Sequence, residues 1–194
     1  MKPALIITGV PGTGKTTISK LLQEKLNATH IDVTKLAICE KNTQKTDEKR
    51  ETLIVNMKTL SEKLVFLINK STKLVIIDGH YSPELIETDL IEKIFVLRRA
   101  PWIIKEELEK RGYPKDKILE NIEAEILGTC LHDALSHHPE GIVCEVDVTN
   151  RSTYYTAEFI KSILEENKTC KVHGIDWGRH IETLEVLKEL KSDI

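Results

Sequence analysis

The residues Gly9-Val10-Pro11-Gly12-Thr13-Gly14-Lys15-Thr16 carry the spacing G-x-x-x-x-G-K-[ST]. Glycines at these positions let a backbone curl so that several N–H groups point inward, and a helix starting at the lysine adds its positive end to that concavity. Lys15 is then a mobile cation for the outer phosphates, Thr16 offers a hydroxyl to Mg²⁺, and Thr17 reaches the innermost phosphate. The pattern follows an apolar run, Ala4 to Thr8, and precedes a helical pattern, which is the context it requires. The chemistry implied is binding of ATP with Mg²⁺. A second apolar run ends Val75-Ile76-Ile77-Asp78, placing a carboxylate where such sites hold the metal through water. Read blandly, Asp78-Gly79 only begins a turn. His80 points the same way if the extended path continues, and as a neutral imidazole it could orient a water; the plain alternative is a loop histidine.

Phosphoryl transfer also needs cations around the γ-phosphate and a means of excluding water. Arg111-Gly112-Tyr113, followed by Pro114, reads as two helices hinged at a glycine with an arginine at the joint, a short lid. Its bland reading is a helix-end cation with a capping glycine. Arg98 and Arg99 follow the fourth apolar run at the edge where ligands bind in such sheets; Arg98 is expected to face phosphate and Arg99 to be a surface cation. A hydroxyl acceptor benefits from a base, whereas a nucleotide phosphate is already ionised at pH 7 and needs none. Asp32 is the only well-placed base and could equally cap a turn, so a kinase for a different small molecule, with a hydroxyl or phosphate acceptor, stays open.

These groups must be positioned by a frame. Short apolar segments rich in Ile, Val and Leu alternate with segments of helical period, the pattern of βαβ units in an α/β protein with a parallel sheet covered by helices. Strands are expected at Ala4 to Thr8, His30 to Val33, Lys73 to Asp78, Lys93 to Leu97 and Ile142 to Asp147. Helices are expected from Lys15 to about Leu26, from about Asp47 to Asn69 with Thr46, Asp47 and Glu48 at its start, over Trp102 to Lys110, Lys115 to about Leu135 and Thr153 to Glu166, and around Ile181 to Leu190. The polar stretch Cys39 to Lys45 reads as mobile.

The chain has 194 residues, 40% hydrophobic and 30% charged, with a formal charge of -3. That is one domain with a real core, and the charge balance and 5% aromatics argue against non-specific nucleic-acid binding as its main business. The longest apolar run, Leu64 to Ile68, is far short of the ~20 residues of a membrane helix, and the first strand begins too early for a signal peptide, so a cytoplasmic protein is expected. Cys39, Cys130, Cys144 and Cys170 are spread singly and read as reduced and structural. The histidines form no constellation with acidic or cysteine partners at metal spacing.

The phosphate loop, Asp78-x-His80, Val96-Leu97-Arg98, Arg111-Gly112-Tyr113 and Asn121-Ile122-x-x-Glu125-Ile126, in this order, resemble the adenylate kinase isoenzyme 6 family. The likeness runs from about Pro3 to Glu166. It implies a nucleoside-monophosphate-kinase fold with a five-stranded parallel core, an NMP-binding insertion over about 31–55 and a lid over about 110–120, leaving an extra C-terminal segment over about 168–194. Carried over by position, Gly12, Gly14, Lys15, Thr16 and Thr17 hold the ATP phosphates, with Thr13 expected in the same cradle, and Arg111 is the lid arginine. Thr16 and Asp78 serve the metal, Asp78 pairs with His80, and the loop around Asn150 lies where adenine is held. The activities implied are ATP + AMP giving two ADP, and ATP hydrolysis in small-ribosomal-subunit maturation, with a platform ribosomal protein as partner and transient contact with pre-ribosomal RNA. Thr34-Lys35-Leu36 stands where the family often has Gly-Asp-Leu, and His80-Tyr81-Ser82 where ordinary adenylate kinases place an arginine for AMP phosphate. Glu125 and Asn121 share a helix side and read as lid supports. The segment holding Trp177-Gly178-Arg179 lies outside the likeness.

Overall fold

The computed structural model describes residues 3–39, 43–47, 52–166 and 170–192. Five parallel strands form the frame: β1 (Ala4–Thr8), β2 (Thr29–Asp32), then β5 (Val75–Asp78), β6 (Ile91–Arg98) and β7 (Val143–Asp147). They lie in the order β2-β5-β1-β6-β7, and β3 (Thr43–Asp47) pairs antiparallel with β4 (Thr52–Val55) as a separate ribbon. Every residue of β1 is buried, as a central strand covered on both faces must be. Its alternation sorts the core into two halves. Leu5 and Ile7, with Phe95 and Leu97 of β6, meet α1 (Lys15–Lys25) and α8 (Thr153–Glu165) through Ile18, Leu22, Ala157 and Ile160. Ala4 and Ile6, with Ile94 and Val96, meet the opposite layer.

That opposite layer contains α2 (Val33–Cys39), α3 (Met57–Lys70), the short α4 (Ser82–Leu85), α5 (Pro101–Lys110), α6 (Lys115–Ile126), α7 (Thr129–His137) and α9 (Ile181–Lys191). Three expectations are corrected here. The helix expected from Asp47 begins at Met57, because Thr52-Leu53-Ile54-Val55 is a β-branched run that enters β4; Asn56 caps α3 by accepting from the Thr59 N–H at 3.1 Å. Glu48, expected at that helix start, and residues 40–42 of the polar stretch lie outside the described residues, while Thr46 and Asp47 belong to β3. The single helix expected over Lys115 to Leu135 is two, because Gly128 adopts φ +67; a Cβ there would also lie 3.5 Å from Arg98 Nη1. Cys144 and Cys170 are not reduced but joined as a disulfide, a pairing that single cysteines 26 residues apart do not advertise. Cys39 and Cys130 are free.

The bond fastens the C-terminal segment to the edge strand, where Glu145 N–H donates to Lys171 O at 3.3 Å and Gly174 N–H to Glu145 Oε2 at 2.8 Å. Further on, α9 buries Val186 and Leu190 and is tied to α5 by Lys105–Glu189 (2.7 Å) and to α6 by Lys191–Glu123 (2.9 Å). No helix among the described residues is long and apolar enough to cross a membrane.

His138 closes the end of α7 and is buried, with Nε2 at 2.7 Å from Pro83 O and Nδ1 at 2.8 Å from Thr88 Oγ1. Since a carbonyl only accepts, the neutral imidazole donates from Nε2 and accepts the threonine hydroxyl proton at Nδ1. Burial lowers its pKa, with the backbone bond to Pro83 opposing and His137 reinforcing the shift. A histidine pKa that is lower folded than unfolded means the unfolded chain binds the extra proton, so stability from this group is full above pH 6.5 and falls as pH drops below it. We expect His138→Gln to lose less stability than the parent between pH 7 and 5, measured by urea unfolding at each pH.

Candidate active site

The turn from β1 into α1 is shaped by three glycines with positive φ: Gly9 (+140), Gly12 (+93) and Gly14 (+87). Gly14 is the residue before α1, and no side chain caps that helix, so the first-turn amides of Lys15, Thr16 and Thr17 are left to an anion. The loop is braced from within. Thr13 Oγ1 donates to Val10 O at 2.9 Å and Lys15 Nζ to the same carbonyl at 3.0 Å. Burial pushes the Lys15 pKa down, with Cys130 and Asp78 opposing and Arg111 adding to the fall. Cys130, beside it, is pushed up to about 11 by burial and is a thiol at neutral pH.

Across from the loop, β5 pairs with β1 in parallel, bringing Asp78 level with Ile7. Thr16 Oγ1 donates to Asp78 Oδ1 at 3.3 Å, while Asp78 Oδ2 lies 2.6 Å from His30 Nε2 on β2. The carboxylate is thus gripped on both oxygens. His80 makes neither of these contacts: its ring stacks at 3.8 Å on Tyr81, and its backbone O accepts from Thr8 Oγ1. Burial, with the Lys15 charge adding, lowers the His80 pKa to about 4, so its imidazole is neutral at pH 7.

The arginines divide differently from expectation. Arg98 was expected at phosphate, yet it is buried on the opposite side of β6: Nε and Nη2 donate to Glu125 Oε1 (2.7 Å) and O (2.8 Å), and Nη1 to Glu145 Oε1 (2.5 Å). Arg99, expected at the surface, donates from Nη1 to Gly12 O at 2.7 Å, inside the phosphate loop. Strand alternation puts Arg98 on the Ile94–Val96 side toward α6, whereas Arg99 follows the end of β6 and its guanidinium reaches Gly12, which lies against Ile104 and Leu108 of α5. Arg111 sits at the end of α5, before Gly112 (φ +73), and forks onto Glu107 at 2.9 and 2.7 Å. That guanidinium holds the Glu107 carboxyl below its usual range. Asn150 is exposed in the loop after β7, whose Thr149 Oγ1 accepts the Ala100 N–H at 2.9 Å. Thr153, at the start of α8, lies against the phosphate loop at Gly14. Asp32 accepts the Lys35 N–H at 3.0 Å and pairs with Lys35 Nζ at 3.1 Å, so it caps α2.

Comparison with known proteins places the chain in a family. A protein from Methanocaldococcus jannaschii named "Putative adenylate kinase" is 40% identical over 89% of this chain and 92% of its own length. The chain belongs to this adenylate-kinase-like family. Members from Pyrococcus abyssi (37% identical, 90% of this chain, 91% of the relative) and Saccharolobus solfataricus (36%, 98% and 95%) match as broadly. A family model described as an AAA domain also matches residues 5–128. In fold, the chain superimposes on shikimate kinase from Acinetobacter baumannii with a TM-score of 0.58 at 14% identity, covering 87% of this chain and 96% of that one. The tunicamycin resistance protein of Deinococcus radiodurans gives 0.58 at 14%, covering 88% and 99%. These neighbours establish an α/β kinase-like fold with a five-stranded parallel sheet.

The metal expected with ATP in this family finds a fitting donor set. Thr16 and Asp78 offer two hard oxygens, and among the described residues no group of three or more His, Cys, Asp or Glu makes a protein cage. Mg²⁺ prefers such partial sites, completed by phosphate oxygens and water. Sequence reading missed His30, Arg99, Glu145 and Trp177. For Arg99, alternation in β6 only sets it apart from Arg98; its reach to Gly12 depends on where the phosphate loop and α5 meet the strand end. His30 depends on β2 lying beside β5, and Trp177 on a contact 52 residues away, which no local pattern reports.

At Gly9 a Cβ would lie 2.5 Å from the Leu97 carbonyl oxygen, in addition to the strain of φ +140. Gly9→Ala is expected to lose about 1–3 kcal/mol of stability. Displacing the loop by even ~1 Å should slow ATP turnover by on the order of 10²-fold. Denaturant titration and a coupled ADP assay would read the two effects separately.

Proposed function

We propose that this protein transfers the γ-phosphoryl group of ATP to AMP, yielding two ADP, and that it works with Mg²⁺. The observation that carries the reading is the phosphate loop with the Thr16 hydroxyl set 3.3 Å from a strand-end carboxylate, Asp78. Mg²⁺ held there would neutralise charge on the β- and γ-phosphates. The amides from Gly12 to Thr17 hold phosphate oxygens, Lys15 follows the outer phosphates, and the exposed loop at Asn150 receives the adenine. Arg111 has its guanidinium on the solvent side of a glycine joint and can leave Glu107 for the γ-phosphate as the 110–120 lid closes. Residues 31–55, which include α2 and the β3–β4 ribbon, cover the acceptor.

A phosphate acceptor is favoured over a hydroxyl because the one candidate base, Asp32, already holds the start of α2. An ionised monophosphate attacks without a base. The test is a panel of nucleoside monophosphates and hydroxyl acceptors with ATP: AMP should be phosphorylated fastest, and turnover confined to a hydroxyl compound would replace this reading. Lys15→Met should lower turnover by about 10²–10³-fold. Its melting temperature should hold or rise, since the substitution removes a desolvated ammonium from the fold.

One observation favours a second activity. A half-buried His80 beside Lys15, kept neutral by that burial and the lysine charge, is suited to orienting a water at the γ-phosphate, which is ATP hydrolysis. Such an ATPase fits the resemblance to the isoenzyme 6 family and its role in small-ribosomal-subunit maturation, and a cytoplasmic location for this chain. Its partners would then be a platform ribosomal protein and pre-ribosomal RNA. His80→Ala should lose more ATPase than phosphotransfer, compared in parallel release and transfer assays. Equal losses would remove this support, and an ATPase rate indifferent to the platform protein would argue against the partner.

A further inference from the structure

We propose that Trp177 and Glu125 are positioning residues for the phosphate loop, acting through Arg99, so that the segment 170–192 is a working part of the nucleotide site. The inference rests on ATP being the ligand of that loop. Trp177 sits in a single 3₁₀ turn (Trp177–Arg179), is 4% exposed, and donates its indole N–H to Glu125 Oε1 at 2.8 Å. The same oxygen accepts Arg98 Nε at 2.7 Å and the backbone N–H of Arg99 at 3.2 Å. Arg99 in turn holds Gly12 O at 2.7 Å. Three side chains, of Trp177, Glu125 and Arg99, and the Arg99 backbone therefore connect the C-terminal segment to a carbonyl inside the phosphate cradle.

A tryptophan serving only as filler would be explained by its ring contacts alone, edge-on to Trp102 at 6.0 Å and against His180 at 5.5 Å. Here the polar atom of the ring is aimed at the buried carboxylate that holds the Arg99 backbone. Arg99 Nε is itself buried without a partner among the described residues, so the guanidinium is held to the loop through Nη1 and placed by its backbone. Losing the indole donor removes one of three N–H groups that share Oε1, and the carboxylate relaxes toward the two that remain, Arg98 Nε and the Arg99 amide. That shift falls on the Arg99 amide. The segment is anchored by Cys144–Cys170 at one end and by the buried Val186 and Leu190 of α9 at the other, beside the exposed pairs Lys105–Glu189 and Lys191–Glu123.

The test is a double-mutant cycle on the full chain, with ATP and Mg²⁺ titrated calorimetrically into the parent, Trp177→Phe, Arg99→Ala and the double variant. Phenylalanine keeps an aromatic ring and removes the N–H. Trp177→Phe should weaken ATP binding about threefold to tenfold, the range one hydrogen bond covers, with the KM for AMP unchanged. In the Arg99→Ala background the same change should have no further effect. Unaltered ATP affinity in Trp177→Phe, or a full repeat of its loss in the double variant, would overturn the proposal. If Trp177→Phe does not fold, Trp102→Phe leaves Trp177 as the sole indole. Its emission should then change on adding ATP and Mg²⁺, and should not change when Arg99→Ala is added; an emission blind to ATP would overturn the proposal. A parent that gives no heat with ATP would defeat the reading of the loop itself, whereas ATP binding with independent losses would defeat the positioning role alone.

Discussion

One buried carboxylate organises the architecture. Glu125 receives three N–H donors on a single oxygen, from Arg98, from the Arg99 backbone and from Trp177, and shares the Arg98 guanidinium with Glu145. Burial raises the Glu125 pKa, while the Arg98 charge and its hydrogen bonds oppose the rise. Such a cluster adds little net stability, because withdrawing the charges from water costs nearly what their attraction returns. Its effect lies in what it forbids. An arrangement that separates α6 from the end of β6 strands a charge in an apolar interior, at about 3–5 kcal/mol. The fold is thereby held to the one packing in which Arg98 faces inward and Arg99 faces the phosphate loop.

The nucleotide site obeys the opposite rule. The first-turn amides of α1 are left without a side-chain partner so that a ligand can take them: α1 opens on a glycine and carries no side-chain cap. The carboxyl ends of β1, β5 and β6 meet there. Each contributes a different element: the amide cradle, the carboxylate and the cation. Lys15 bears the cost of this arrangement as a depressed pKa, which negative phosphates would relieve.

What was legible in the sequence was what is local. The phosphate loop, β1, α1 and the strand-end Asp78 each follow from residues within one turn or one strand, and the parallel sheet follows from their alternation. The start of α3 was misread because Leu53, Met57 and Leu60 also satisfy a helical period, although the β-branched Thr52, Ile54 and Val55 favoured a strand. Gly128 could have been read as a break, since an interior glycine is costly to a helix. Alternation in β6 could have turned Arg98 inward, but not shown Arg99 at Gly12. The pairing of His30 with Asp78, the reach of Trp177 to Glu125 and the bond between Cys144 and Cys170 were not, because each joins segments whose adjacency is decided by the whole fold.

The cross-link between the edge strand and residue 170 changes what kind of object the C-terminus is. With residues 144 to 170 closed into a ring that contains α8, backbone scission within that ring leaves α9 and the Trp177 turn before it covalently attached to the sheet. A nick there yields one particle under oxidising conditions and two fragments only after a thiol is added. Topologically, the last helix is a branch of the molecule and not merely its end.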